Sequence, residues 1–166
     1  MACANCSPDC PVYDIEHNQN EDNTFYTCRG RDFHPNALEH FRHPRNMNYD
    51  EEGNQKLKEG DPNVYHGTFG EFSKCGDEVE IWIKLSEDKS TFEDLTFCTS
   101  GCAGAISAGS YSTELLKGTK VSDFNIQTMM QNIRDHLHLM NGKEHCAAYP
   151  LLSIKACLEN AGIEVK

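Results

Sequence analysis

Between Glu78 and Leu85 apolar and polar side chains alternate along the chain. Val79, Ile81, Ile83 and Leu85 fall on one side, and Glu78, Glu80 and Lys84 on the other. A period of two marks a strand with one buried face. The turn-forming run Ser86-Glu-Asp-Lys-Ser90 follows, and Thr91 to Thr99 returns as a second strand with Leu95 and Phe97 on the buried side. Val64 to Phe72, interrupted by two glycines, predicts a further strand ahead of them.

The spacing then changes. Cys102 to Lys117 is rich in small residues and stops at Gly118, a residue suited to the position after a helix. Ile126, Met129, Met130, Ile133, Leu137 and Met140 recur at helical spacing, with the Met pair read as core filling. Leu151, Ile154, Leu158 and Ala161 do the same in a last helix running to about Asn160. A short helix from about Asn36 to His43, carrying Leu38 and Phe41, is stopped by Pro44. Asn46 to Asp61 is polar, broken by glycines, and reads as loop. Strands followed by helices predict an α+β domain, a three-stranded antiparallel sheet packed by helices on one face. That domain spans residues 33–166. Residues 1–32 lack a hydrophobic period and form an irregular Cys-rich N-terminal arm.

Composition narrows the function classes. The net charge of −11 argues against a nucleic-acid partner, because phosphate binding draws on Lys and Arg. Acidity suits the attraction of metal ions or a basic partner, but equally suits plain solubility, so it decides nothing further. No apolar run is long enough to span a bilayer, and no export leader opens the chain. The expectation is a cytoplasmic protein with no membrane partner. The nine cysteines are an odd number, and a reducing compartment disfavours a disulfide framework. Metal binding or sulfur chemistry is the leading account of them.

Three places concentrate the relevant side chains: Cys75 and Asp77 in the turn between the first two strands, Cys102 where a strand becomes a helix, and Lys143 to Cys146 ahead of the last helix. Proline suits the first turn of a helix, so Pro150 predicts that this helix begins near Cys146. Cys102 and Cys146 would then both sit at helix N-termini, where the partial positive charge favours a thiolate. Cys75, Asp77, Cys102, His145 and Cys146 form a set of soft and hard donors suited to zinc, copper(I) or iron–sulfur units. Spacing alone does not choose among these.

At the same residues the chain resembles the IscU/NifU N-terminal family of iron–sulfur cluster assembly scaffolds. The resemblance runs from about His34 to Ile163. It includes His40-Phe-Arg-His-Pro-Arg-Asn46, Lys74-Cys-Gly-Asp-Glu-Val-Glu-Ile-Trp-Ile-Lys84, Phe97-Cys-Thr-Ser-Gly-Cys-Ala-Gly-Ala-Ile106, the helix end Leu116-Lys-Gly118, and Lys143-Glu-His-Cys146. It implies a scaffold rather than an enzyme with small-molecule turnover. Sulfur would arrive as persulfide from a cysteine desulfurase, Fe(II) would bind, and an electron donor such as ferredoxin would reduce the sulfur. A [2Fe–2S] cluster would then pass to apo acceptor proteins. By position Cys75, Cys102 and Cys146 match the family cysteines, Asp77 and His145 the exchangeable ligands, and Cys146 the persulfide acceptor. Lys143 is a candidate helper for an anionic sulfur, set against a solvated surface lysine.

The alternative is a zinc-dependent persulfide sulfurtransferase of SufU type, with Zn(II) also compatible with a purified scaffold. The Cys75-to-Cys102 interval lacks the SufU insertion, and His145 before Cys146 is of the IscU kind. A Cys–His–Asp hydrolase is disfavoured, because adjacent residues rarely face each other and two further cysteines would have no use. No proline stands in Met140-Asn-Gly-Lys143, where the family carries its chaperone motif, so no dedicated chaperone pair is implied. A homodimer is left open. Cys98 reads as a bystander on the opposite strand face, and Cys157 as a buried helix thiol. In the arm, Cys3, Cys6, Cys10 and Cys28 suffice for a second zinc or iron–sulfur site, with His17 and His34 as alternates. A flexible reduced arm is the competing reading.

Overall fold

The computed structural model describes residues 25–26, 32–70, 76–139 and 143–165. Two residues of the arm, Phe25–Tyr26 (β1), pair antiparallel with Asp32–Phe33 (β2), so the arm is not irregular there. Helix α1 spans Pro35–Arg42, with the His34 imidazole accepting from the Asn36 amide as its cap. Strands β3 (Val64–Gly70), β4 (Glu78–Leu85) and β5 (Phe92–Thr99) form an antiparallel sheet in sequence order. Helix α2 (Ala103–Leu116), a 3-10 turn at Val121–Asp123, α3 (Ile126–Leu137) and α4 (Glu144–Asn160) complete the domain. No helix among the described residues is long and apolar enough to cross a membrane.

The alternation in β4 becomes the core. Val79, Ile81, Ile83 and Leu85 are fully buried, together with Leu95 and Phe97 of β5 and Leu151, Ile154 and Leu158 of α4. Each such side chain contributes about 1.5–3 kcal/mol on leaving water. Helix α4 lies directly on the sheet. Ser153 Oγ donates to Val79 O at 2.7 Å, Cys157 Sγ faces Ile81 O at 3.3 Å, and a Cβ on Gly67 of β3 would collide with Ser153 O. Cys157 is thus a buried helix thiol, its pKa driven up by burial.

The other sheet face is not bare. Leu57, Val64 and Trp82 form a small second cluster there, with Cys98 at its edge. The segment from 46 to 61 contains no helix or strand, yet it closes over this face. Met47 bridges to Phe97, and fully buried Asn48 holds the segment to β5. The Asn48 amide N–H donates to Phe97 O at 2.8 Å, and its side-chain oxygen accepts from Leu57 N and Thr96 Oγ1.

Candidate metal centre

Three connections meet where β4 begins and β5 ends, since Val79 pairs with Thr99 across the two strands. Gly76 enters β4 at φ +68°, a conformation that penalises any residue with a Cβ. The turn delivers Asp77, which is buried, with Oδ2 lacking a hydrogen-bond partner among the described residues. At the end of β5, Cys102 is the N-cap of α2, and its carbonyl accepts from Ile106 N at 3.0 Å. Opposite lies the start of α4, whose N-cap is Lys143.

Here the position of the helix start is corrected. Helix α4 begins at Glu144, which makes Pro150 its seventh residue rather than part of its first turn. The missing proline N–H deprives the Cys146 carbonyl of its usual helical donor. Cys146 N meanwhile donates to Lys143 O at 3.0 Å, a tight 3-10 bond. His145 and Cys146 therefore lie within the first turn.

Ligand atoms of Asp77, His145 and Cys146 lie within 4.8 Å of one another. Cys102 Sγ is 3.9 Å from Cys146 Sγ, and Lys143 Nζ is 3.4 Å from Cys102 Sγ. Four of the five expected donors are thus brought together; the fifth, Cys75, lies outside the described residues. Cys3, Cys6, Cys10, Cys28 and His17 also lie outside them. The expectation of a solvated Lys143 is corrected, since the residue is only 6% exposed. His145 packs its ring 5.5 Å from that of Tyr149. Cys98, on the opposite sheet face, has its pKa raised by burial and by Glu80.

The two thiols shift in opposite directions, Cys102 down and Cys146 up, where helix dipoles alone would lower both. A hydrogen bond from the Cys146 thiol brings the Cys102 pKa down to about 6 against the cost of burial, with the Ala105 amide and Lys143 adding to it. Cys146 is pushed upward by holding that proton, by burial and by the facing Cys102 charge. A second thiolate 3.9 Å from the first would face strong like-charge repulsion in a site of low polarity. Burial works against the Lys143 ammonium, but Cys102, by charge and by hydrogen bond, and Asp77 outweigh it and raise its pKa.

The donor set suits a transition metal. Two sulfurs, an imidazole and a carboxylate match the ligand types of zinc and of iron–sulfur units. The orphaned Asp77 oxygen costs on the order of 1–3 kcal/mol unless something satisfies it. Gly104 is the feature that residue chemistry missed. A Cβ there would stand 3.2 Å from Cys146 Sγ and 3.6 Å from Cys102 Sγ, so its absence leaves room around both sulfurs. The signal was present in the glycine two residues beyond Cys102.

This α+β domain gathers thiol, imidazole and carboxylate donors, the ligand types of a metal site, at one sheet end. The NifU-like N terminal domain family matches residues 32–161, and the chain belongs to that family. It is 33% identical over 130 residues to the iron sulfur cluster assembly protein 1, mitochondrial, of Candida glabrata. That match covers 78% of this chain and 57% of the relative. It is 30% identical to the iron-sulfur cluster assembly protein IscU of Plasmodium falciparum, over 86% of this chain and 82% of that protein. Among solved structures, the N-terminal part of a nitrogen-fixing NifU-like protein from Brucella abortus shares the fold at TM-score 0.57 and 12% identity. That likeness covers 78% of this chain and 93% of the other.

Proposed function

We propose that this chain is a scaffold on which iron–sulfur clusters are assembled. It takes sulfur as persulfide from a cysteine desulfurase, takes up iron, and passes a [2Fe–2S] cluster to apo acceptor proteins. The observation that carries this reading is the convergence of Asp77, Cys102, His145 and Cys146, with an unsatisfied carboxylate oxygen in their midst. Membership of the family supports it, as do the relatives named for cluster assembly.

Roles follow from the chemistry of each group. Cys102 and Cys146, joined by Cys75, are the soft ligands that hold iron firmly, and Cys146 accepts the sulfur. Asp77 and His145 are the harder ligands that exchange as the cluster forms and leaves, because a carboxylate holds a cluster less firmly than a thiolate. Lys143 offsets negative charge on sulfur in a pocket where water does little of that work. The protein binds, orients and releases its cargo, with electrons drawn from a ferredoxin-like donor.

Anaerobic reconstitution with iron, cysteine and a desulfurase tests the reading. The expected outcome is visible absorbance of a [2Fe–2S] cluster, lost in Cys102→Ser and Cys146→Ser. A colourless protein that holds one zinc and takes up no cluster would overturn it and leave a zinc-dependent sulfurtransferase.

A further inference from the structure

Cys146 is fully buried, whereas Cys102 reaches solvent in part. Among the described residues the thiol placed to meet sulfur carried on Cys146 is Cys102 of the same chain, 3.9 Å away. Lys143 Nζ stands 3.4 Å from Cys102 Sγ. Gly104 places no side chain against either sulfur, where a Cβ would stand 3.2 Å from Cys146 Sγ and 3.6 Å from Cys102 Sγ. These contacts set the acceptor beside one partner thiol.

We infer that Cys102 is the resolving thiol for sulfur carried on Cys146, and that the pair itself frees that sulfur as sulfide. The inference rests on Cys146 being the acceptor. Cys102 Sγ attacks Cys146 Sγ of the Cys146 persulfide, and the bond between Cys146 Sγ and the terminal sulfur breaks. A Cys102–Cys146 disulfide forms, and the terminal sulfur leaves with the electron pair and its proton as hydrosulfide. The Cys102 sulfur is oxidised from thiolate to disulfide as the terminal sulfur is reduced to sulfide, so no outside reductant enters. For that bond the sulfurs must close from 3.9 Å to about 2.05 Å. The step belongs to the metal-free protein, since bound iron would occupy both sulfurs. A dithiol or electron-carrier protein must then reduce the disulfide before a cluster is built, which makes the pair a gate between sulfur release and iron uptake.

The test uses the full chain, reduced, stripped of metal with a chelator, and freed of small thiols under anaerobic conditions. It is charged with cysteine and a cysteine desulfurase, quenched with N-ethylmaleimide, and analysed by peptide mass spectrometry and sulfide assay. The wild type is expected to release about one sulfide per chain and to yield a Cys102–Cys146 cross-linked peptide. Cys102→Ser is expected to keep its sulfur on Cys146 and to release sulfide about 100-fold more slowly. The inference is overturned if wild-type persulfide on Cys146 lasts as long as in Cys102→Ser. It is equally overturned if the sulfur moves intact to Cys102, or if the disulfide joins another cysteine. If Cys102→Ser carries no sulfur on Cys146, the acceptor assignment fails and the inference with it, an outcome distinct from a stable Cys146 persulfide. Should that variant not fold, the wild-type peptide map decides alone.

Discussion

Lys143 Nζ lies 3.4 Å from Cys102 Sγ, so a buried ammonium faces a sulfur whose pKa is held below the usual thiol range. The cation is the lesser cause of that low value and the Cys146 thiol the greater. In metal-free protein Cys146→Ala should therefore raise the Cys102 pKa more than Lys143→Gln does. The pH dependence of Cys102 alkylation, read by peptide mass spectrometry, gives both values. Equal shifts, or a larger one for Lys143→Gln, would contradict the shared proton.

Asp77 pays in stability for its place in the site. Its Oδ2 is buried without a partner among the described residues, a cost that a smaller neutral side chain avoids. Asp77→Ala is expected to stabilise the metal-free protein by about 1 kcal/mol and to slow cluster transfer to an apo acceptor. Urea unfolding and transfer kinetics measure the two effects separately. A variant less stable than wild type would mean that the carboxylate is already satisfied.

Gly104 separates the fold from its cargo. Alanine is the better helix former by about 1 kcal/mol, and at this position its Cβ would press on Cys146 Sγ at 3.2 Å. Gly104→Ala is expected to leave the unfolding midpoint close to wild type while cluster yield on reconstitution falls several-fold. Unchanged iron and sulfide content per chain would show that the space beside the sulfurs is not used.

Most elements were legible because each rests on a short-range signal. The alternation of Val79, Ile81, Ile83 and Leu85 needs only a strand with one dry face, and the structure places β4 at Glu78–Leu85. Gly118 follows α2 as expected and adopts φ +82°. The donors were legible because thiol, imidazole and carboxylate declare their chemistry by residue type. What escaped depends on contacts distant in sequence. The polar run containing Asn48 reads as solvent-facing until β5 supplies its partners, and Lys143 reads as a surface lysine until Cys102 stands opposite. Pro150 misplaced the start of α4 because first-turn preference is a tendency, and a packed helix can carry a proline deeper at the loss of one hydrogen bond.

Asn48 is the test of that hidden packing. Its side chain accepts from Leu57 N and Thr96 Oγ1 and donates to Leu57 O at 3.1 Å, all in a fully buried setting. Asn48→Ala strands these groups and should cost about 2–4 kcal/mol. Chemical unfolding checks the magnitude. A loss below about 0.5 kcal/mol would place this segment among ordinary surface loops.

His40 ties stability to pH. The ring is buried between α1 and α2, with Nδ1 2.8 Å from Ser110 Oγ, and Arg45, Glu39, Glu114, Tyr111 and His136 around it. Burial, then Arg45, lowers its pKa below the usual histidine value of 6.5, and Glu114 and Glu39 offset only part of this. A folded-state pKa below the unfolded one means that the unfolded chain binds the proton more readily. The stabilisation is thus complete above about pH 6.5 and is lost as pH falls through the lower, folded value. His34, similarly lowered by burial and by His138 and His136, acts in the same direction. Stability should therefore decline between about pH 7 and pH 5, and His40→Gln should flatten that slope while lowering stability at pH 7.5. Urea midpoints across this range measure both, and a slope unchanged by the substitution would assign the acid sensitivity to other groups.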